Sequence, residues 1–258
     1  MLLRCALACC LISGISSADY QEKRTLTLNT QGLSKFNIDA GAGKLFVTGA
    51  SNIDTITVKA TIRLETSSDS KAERYISEAL VLKLEKKGSR AVLVSDFDDD
   101  WSISNLIRGN LNSRIDIELT MPESMELDVH DGSGNLDIEN IRNDVEVDDG
   151  SGNMKLKKIT GSLTIDDGSG NILVEAVRGD VEIDDGSGNT TLDTIIGNVD
   201  VDDGSGTIVI EAVTGSVEIR DGSGNIRVDQ VTKNVDILDN GSGSSRISNV
   251  DGWVKERS

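Results

Sequence analysis

Carboxylates are the reactive groups this chain carries in quantity. Asp and Glu number 44 against 26 Lys and Arg, with one histidine and three cysteines in 258 residues. Their placement follows a rule. Asp131, Asp149, Asp167, Asp185, Asp203 and Asp221 recur every 18 residues, each directly before a glycine. A second set, Asp148, Asp166, Asp184 and Asp202, sits one residue earlier. Hard oxygen ligands suit Ca²⁺, so Asp148, Asp166, Asp184 and Asp202 are the candidate metal ligands, and weak Ca²⁺ binding is the one cofactor expectation. Two carboxyls in unlike surroundings could instead perform acid–base work on a glycosidic bond. Identical acids in every unit offer no such unlike pair, so no catalytic residue is assigned. His130 stands alone, which rules out a His-rich metal site.

The elements that must position these acids follow from the same period. Asp-Gly-Ser-Gly places its first glycine at Gly132, Gly150, Gly168, Gly186, Gly204 and Gly222, and a further copy begins at Gly241, one residue late because of Asn240. A fixed short period marks a repeat architecture. Between the glycine turns, apolar and polar residues alternate over two short runs, as in Ile172, Val174, Val177, then Val181 and Ile183. That is the period of strands with one buried face. Two strands and two corners leave no chain for a helical crossover, so each unit must be a coil that pairs in parallel with the next, about 4.8 Å away. The fold class is therefore all-β, a parallel β-solenoid of 18-residue coils. Val145, Leu163, Val181, Val199, Val217 and Val235 form one expected inward stack, and Ile141, Ile159, Val177, Ile195, Val213 and Val231 another.

In this frame Asp149, Gly150, Gly152, Asp167, Gly168, Gly170, Asp185, Gly186 and Gly188 are turn-formers, with each turn aspartate accepting backbone N–H groups of its own turn. Asn135, Asn153, Asn171, Asn189 and Asn225 should stack as an amide ladder. Alternation puts Glu146, Glu182, Asp200, Glu218 and Asp236 on an outer face together with the Ca²⁺ candidates, interrupted by Thr164, Arg220 and Leu238. Like charges at that spacing repel by roughly 1 kcal/mol per pair even with water-like screening. Such a face is either a solvated surface that keeps sheets apart or an interaction face for a cationic partner. A further acid cluster, Asp96, Asp98, Asp99 and Asp100 before Trp101, reads as an acidic loop.

Residues 19–114 lack the period but are strand-rich, and they are expected to cap the solenoid, which occupies 115–258. Leu80 to Leu93, around Lys87-Gly88-Ser89, reads as a hairpin, and Ser70 to Ser77 as one or two helical turns. Pro122 bends the chain into Met125-Leu127-Val129, which already fits the second strand of a coil. A solenoid needs capping because its terminal coil is an open edge. At the far end Trp253 and Lys255-Glu256-Arg257 are placed to blunt it.

Residues 1–18 read as a signal peptide: a basic start, a short apolar run from Cys5 to Ile15, and Ser16-Ser17-Ala18 before a cut at Asp19. The run is too short to span a bilayer, so no transmembrane span is expected in the mature protein. A lipoprotein signal ending at Cys9 or Cys10 is the rival reading. All three cysteines lie in this segment, so the mature chain holds no disulfide. A net charge of −18 argues against nucleic acid, whose phosphates require clustered Lys and Arg.

The Gly-Ser-Gly-Asn-aliphatic turn, the Val-x-Gly-x-Val corner and the Met-Pro lead-in at Met121-Pro122 resemble the bacterial envelope family known as "putative adhesins", a domain of unknown function. The resemblance covers most of the mature chain and is densest from Ile115 onward. It implies a parallel β-solenoid in an exported protein, in the periplasm or at the cell surface, and carries over no catalytic residue. The functional expectation is a non-enzymatic envelope protein, a rigid adhesin-like solenoid whose acidic face meets an envelope or surface partner of basic or cationic character. The alternatives are a carbohydrate-active β-helix enzyme and a self-assembling envelope scaffold.

Overall fold

The computed structural model describes residues 19–97 and 112–257. The signal-peptide segment and the acidic run Asp98–Trp101 lie outside them. The N-terminal part comprises β1 (Asp19–Asn29), β2 (Lys35–Ala50), β3 (Thr55–Glu65), α1 (Asp69–Ala79), the hairpin β4 (Leu80–Lys87) and β5 (Arg90–Phe97), β6 (Ser113–Pro122) and β7 (Glu126–Ile141). From there short and long strands alternate. The short ones are β8 (Val145–Asp149), β10 (Leu163–Asp167), β12 (Val181–Asp185), β14 (Val199–Asp203), β16 (Val217–Asp221), β18 (Val235–Asp239) and β20 (Val254–Glu256). The long ones are β9 (Gly152–Ile159), β11 (Gly170–Arg178), β13 (Gly188–Ile196), β15 (Gly206–Val213), β17 (Gly224–Val231) and β19 (Ser244–Val250).

From β10 to β18 every short strand pairs in parallel with the short strands before and after it, and from β11 to β17 every long strand does the same, while β8 and β9 both pair back onto β7. The offset is one coil, so that Asp166 aligns with Asp184 and Asn171 with Asn189. The expected β-solenoid is thus the observed one. Its two walls face each other across a core to which each coil contributes one set of inward residues: Val145, Val147, Met154, Leu156 and Ile159 in the first regular coil, all 2% exposed or less. Each such side chain contributes roughly 1.5–3 kcal/mol on burial, and only stacking on the next coil shields it.

Two backbone devices hold the coil closed. Gly170 has φ +151°, and a Cβ there would lie 1.5 Å from the carbonyl oxygen of Gly152 in the coil below. No other residue fits that approach. At the second device alternation breaks: Val174 and Val177 are both buried, and the extra residue between them, Ala176, takes φ +60°. The same left-handed position recurs at Asn140, Lys158, Thr194, Ala212, Gln230 and Asn249. Side chains other than glycine are uncommon there and carry a local cost.

The cap is a chain-distant extension of both walls. β2 supplies a complete rung: Lys35 to Ala40 lie between β5 and the start of β7, and Leu45 to Ala50 lie between β6 and the end of β7. The sheet then turns antiparallel, through β4–β5 on one wall and through β6–β3–β1 on the other. Helix α1 is capped by the Ser68 side chain and buries Ala72, Tyr75, Ile76 and Ala79, with Tyr75 stacked on Phe97 at 5.2 Å between ring centroids. At the other end the extra residue of the seventh repeat is taken up at Leu238, which the β16–β18 ladder skips, pairing Ile219 with Ile237 and then Arg220 with Asp239.

Candidate functional site

The period-2 geometry of the short strands sorts adjacent aspartates onto opposite sides of one wall. Asp148, Asp166, Asp184 and Asp202 point outward in single file, one per coil. Alongside runs a second outer file, Glu146, Thr164, Glu182, Asp200, Glu218 and Asp236. Among the described residues no three Asp, Glu or His side chains converge as a metal-holding group. The four Ca²⁺ candidates therefore form a line of single carboxylates rather than a chelating cluster. Burial first, then the charges of Asp166 and Asp202, hold the Asp184 carboxyl above its ordinary value. The lone histidine sits at the head of this file, its Nδ1 3.3 Å from Asp128 and its Nε2 3.9 Å from Asp148.

Outside the second file lies a groove of about 640 Å³ that spans several coils. Asp180, Glu182, Asp200, Glu218 and Asp236 line it, and Trp253 joins them from the last turn of the chain, half exposed at 51%. Four of the five expected interaction-face residues are thereby brought into one cavity. The fifth, Glu146, lies outside it, 4.0 Å from Lys35. Lys35 itself is pulled down by burial, but the carboxylates of Glu126 and Asp128 outweigh this and hold it above its ordinary value. Beside the groove Arg220 pairs with Glu218 at 2.6 Å and Asp200 at 3.3 Å, and Arg257 pairs with Asp236 at 2.6 Å. Two guanidiniums against five carboxylates leave the groove negative. Burial pushes the Asp200 carboxyl up, Arg220 opposes this, and Glu218 and Glu182 reinforce it. The corner of each coil closes the groove's floor through backbone bonds, with Asn198 donating its N–H to Asp180 Oδ1 at 2.7 Å and Trp253 donating to Asn234 Oδ1 at 3.2 Å.

The turn aspartates behave as expected in one respect. Asp149, Asp167, Asp185, Asp203 and Asp221 each accept the N–H of the serine two residues on, at 2.9–3.3 Å. Their burial was not anticipated. These five are 1% exposed and Asp131 is 5% exposed, all on the inside of the coil. The signal was present in the parity of the strand: Val145 and Val147 point inward, so Asp149 must as well. The asparagine ladder forms too, with Asn171 donating to Asn153 at 2.7 Å and Asn189 to Asn171 at 2.9 Å. Thr207 interrupts it.

A second groove, of about 590 Å³ and opposite character, lies where the cap meets the first coils. Lys44, Arg63 and Arg114 surround Asp116 there, which accepts from Arg63 Nε at 2.7 Å and from the Lys44 backbone N–H at 3.2 Å. No reading of the sequence pointed to it, because its cations come from three strands far apart in the chain.

The family model of Toastrack DUF4097 matches residues 50–251, from the middle of the cap to the last coil. The chain belongs to the Toastrack DUF4097 family. No curated protein matches it. Among solved structures, a "putative lipid binding protein" from Parabacteroides distasonis is 18% identical, with 92% of this chain and 97% of that one covered and a TM-score of 0.50. A "putative adhesin" from Bacteroides fragilis is 16% identical, with 95% and 100% covered and a TM-score of 0.46. At 18% identity the likeness to the Parabacteroides distasonis structure is one of fold.

Proposed function

We propose that this Toastrack protein is a non-enzymatic binding module of the cell envelope, a rigid adhesin-like solenoid whose acidic groove receives a cationic segment of a partner. The observation that carries this reading is the groove itself: four carboxylates, Glu182, Asp200, Glu218 and Asp236, in register along a wall, with Asp180 at a corner beside them and a half-exposed tryptophan closing one end. Carboxylates about 4.8 Å apart give an extended basic chain a counter-charge at every coil, and an indole face adds attraction for an ammonium or guanidinium. Repetition of the same acid in every coil supports binding rather than catalysis, since acid–base chemistry needs two unlike carboxyls at one place. Export and an envelope location rest on the leader-like residues 1–18 and on the family resemblance. Among the described residues no helix is long and apolar enough to cross a membrane.

Titration calorimetry with an octalysine peptide tests the proposal. Binding should be detectable at low salt, weaken as salt is raised, and be lost in Glu182→Lys/Asp200→Lys. Undiminished binding by that variant, or equal binding of octaglutamate, would overturn it.

A further inference from the structure

The inward turn aspartates have a property that turn formation does not require. Oδ1 of Asp149, Asp167, Asp203 and Asp221 receives the serine N–H, but Oδ2 of these four and of Asp131 has no hydrogen-bond partner among the described residues, although it is shielded from solvent. An ionised, half-satisfied carboxylate in an apolar core is strongly disfavoured, and here the arrangement repeats in file.

No cation reaches the inner side of the wall: His130, before Asp131, and Arg220, before Asp221, lie on its outer face against Asp128 and Glu218. Along the file Asp131 meets Asp149 alone, with Ala40 on its other side, while Asp149, Asp167, Asp185 and Asp203 each align with aspartates of both neighbouring coils, and the strands of these four add Asp148, Asp166, Asp184 or Asp202 on the outer side. Asp221 meets Asp203 on one side and Asp239 on the other. Across the core the facing residue is five positions on, as the contact from Thr190 to Asp185 shows. In the other coils that position holds Leu136, Met154, Ile172, Ile208 and Ile226, none of them titratable. Neither groove described above is lined by Asp149, Asp167, Asp203 or Asp221. Oδ2 is also hemmed in by the turn: a Cβ on Gly206 would sit 3.1 Å from that of Asp203, and one on Gly224 3.2 Å from that of Asp221. Ca²⁺ and Mg²⁺ need six or more oxygens around them, and such a shell does not fit here. A proton does.

We propose that the inward aspartates are a proton-binding file inside the solenoid, so that the coil stack gains stability as pH falls from neutral to mildly acidic. Burial raises every member, Asp131 to about 7 and Asp167 and Asp203 to about 6, from an ordinary 3.8. Asp149, Asp185 and Asp221 are raised by the same cause. The folded chain therefore holds more protons than the unfolded one between about pH 4 and 7, and stability falls as pH rises across that window. The contribution is fully present below about pH 4. Glu85 and Asp229 are shifted the opposite way, by Lys87 and by Ser248 and Asn249, and lose their contribution only below that window. Thr190 is an internal control. Its hydroxyl donates to Asp185 Oδ2 at 3.2 Å, so this coil alone satisfies its inward carboxylate.

Scanning calorimetry of the full chain at pH 7.5 and 5.0 tests the proposal. The midpoint should rise on acidification by on the order of 5–10 °C. Asp167→Asn/Asp203→Asn keeps an oxygen for the serine N–H and removes two titrating groups. It should cut the rise by at least a third, whereas the outward pair Asp166→Asn/Asp202→Asn should leave most of it. Because the inward double variant could fail to fold, Thr190→Val serves as a second probe. It strips Asp185 of its partner and should steepen the rise. A wild-type midpoint that does not rise, an inward pair that keeps the full rise, an outward pair that abolishes it, or an unchanged slope in Thr190→Val would each overturn the proposal.

Discussion

Asp166 and Asp167 are neighbours in the chain and share a side chain, yet they live in opposite worlds. Asp166 stands on the outer wall in water, in line with Asp148 and Asp184, while Asp167 is sealed in the core with one oxygen unpartnered. A single residue of offset on a pleated strand makes the difference. The outer files give the molecule its negative face and groove. The inner file makes its stability depend on protons. The same residue type thus stands in the proposed binding face and in the proposed proton file, and only strand parity tells the two apart.

The most drastic way to break this comparison is to exchange the two faces. Ile165→Asp/Asp166→Ile would bury a second carboxylate in one coil and expose an isoleucine, with an expected loss of at least ~4 kcal/mol in urea unfolding at pH 7. Gly170→Ala attacks the turn that carries the inner file to the asparagine ladder. Its Cβ has no room against Gly152 and its φ is left-handed, so a loss of about 3 kcal/mol is expected in the same assay. Thr194→Gly acts where alternation is interrupted. Relief of a β-branched residue at φ +62° should outweigh glycine's entropy cost and raise stability by about 0.5–1 kcal/mol. The smallest change sharpens the outer file alone: Asp184→Asn removes repulsion with Asp166 and Asp202 and should gain about 0.5 kcal/mol at low salt, vanishing near 1 M salt.

The repeat made the solenoid legible because its strands pair with equivalents a fixed distance along the chain. Val145, Leu163 and Val181 could be aligned by counting, and they stack as counted. The hairpin at Gly88 was equally plain, being a local turn between two alternating runs. The rung supplied by β2 was not, since Lys35 pairs with Glu126 and Arg90 across long separations that no local pattern records. The helix runs for three turns, longer than its weak pattern suggested, because packing of Tyr75 and Ile76 decides its length. At the candidate site the outer carboxylates were readable from alternation. Trp253 reads as an edge-blunting residue in the sequence, and only the last turn of the chain shows it entering the groove. Thr190 looks like one more polar residue among the strands until its hydroxyl is seen to meet Asp185.

The most direct test of the central claim is disulfide formation between engineered cysteines, in a chain whose Cys5, Cys9 and Cys10 are replaced by serine. Asp166→Cys/Asp184→Cys places two thiols on one face of paired strands, about 4.8 Å apart at Cα and within disulfide reach. Asp166→Cys/Asp185→Cys places them one residue out of step, on opposite faces. The first pair should close under mild oxidant and the second should stay reduced. Equal closure of both, or closure of the second alone, would contradict coils stacked in register with one file of acid outside and one within.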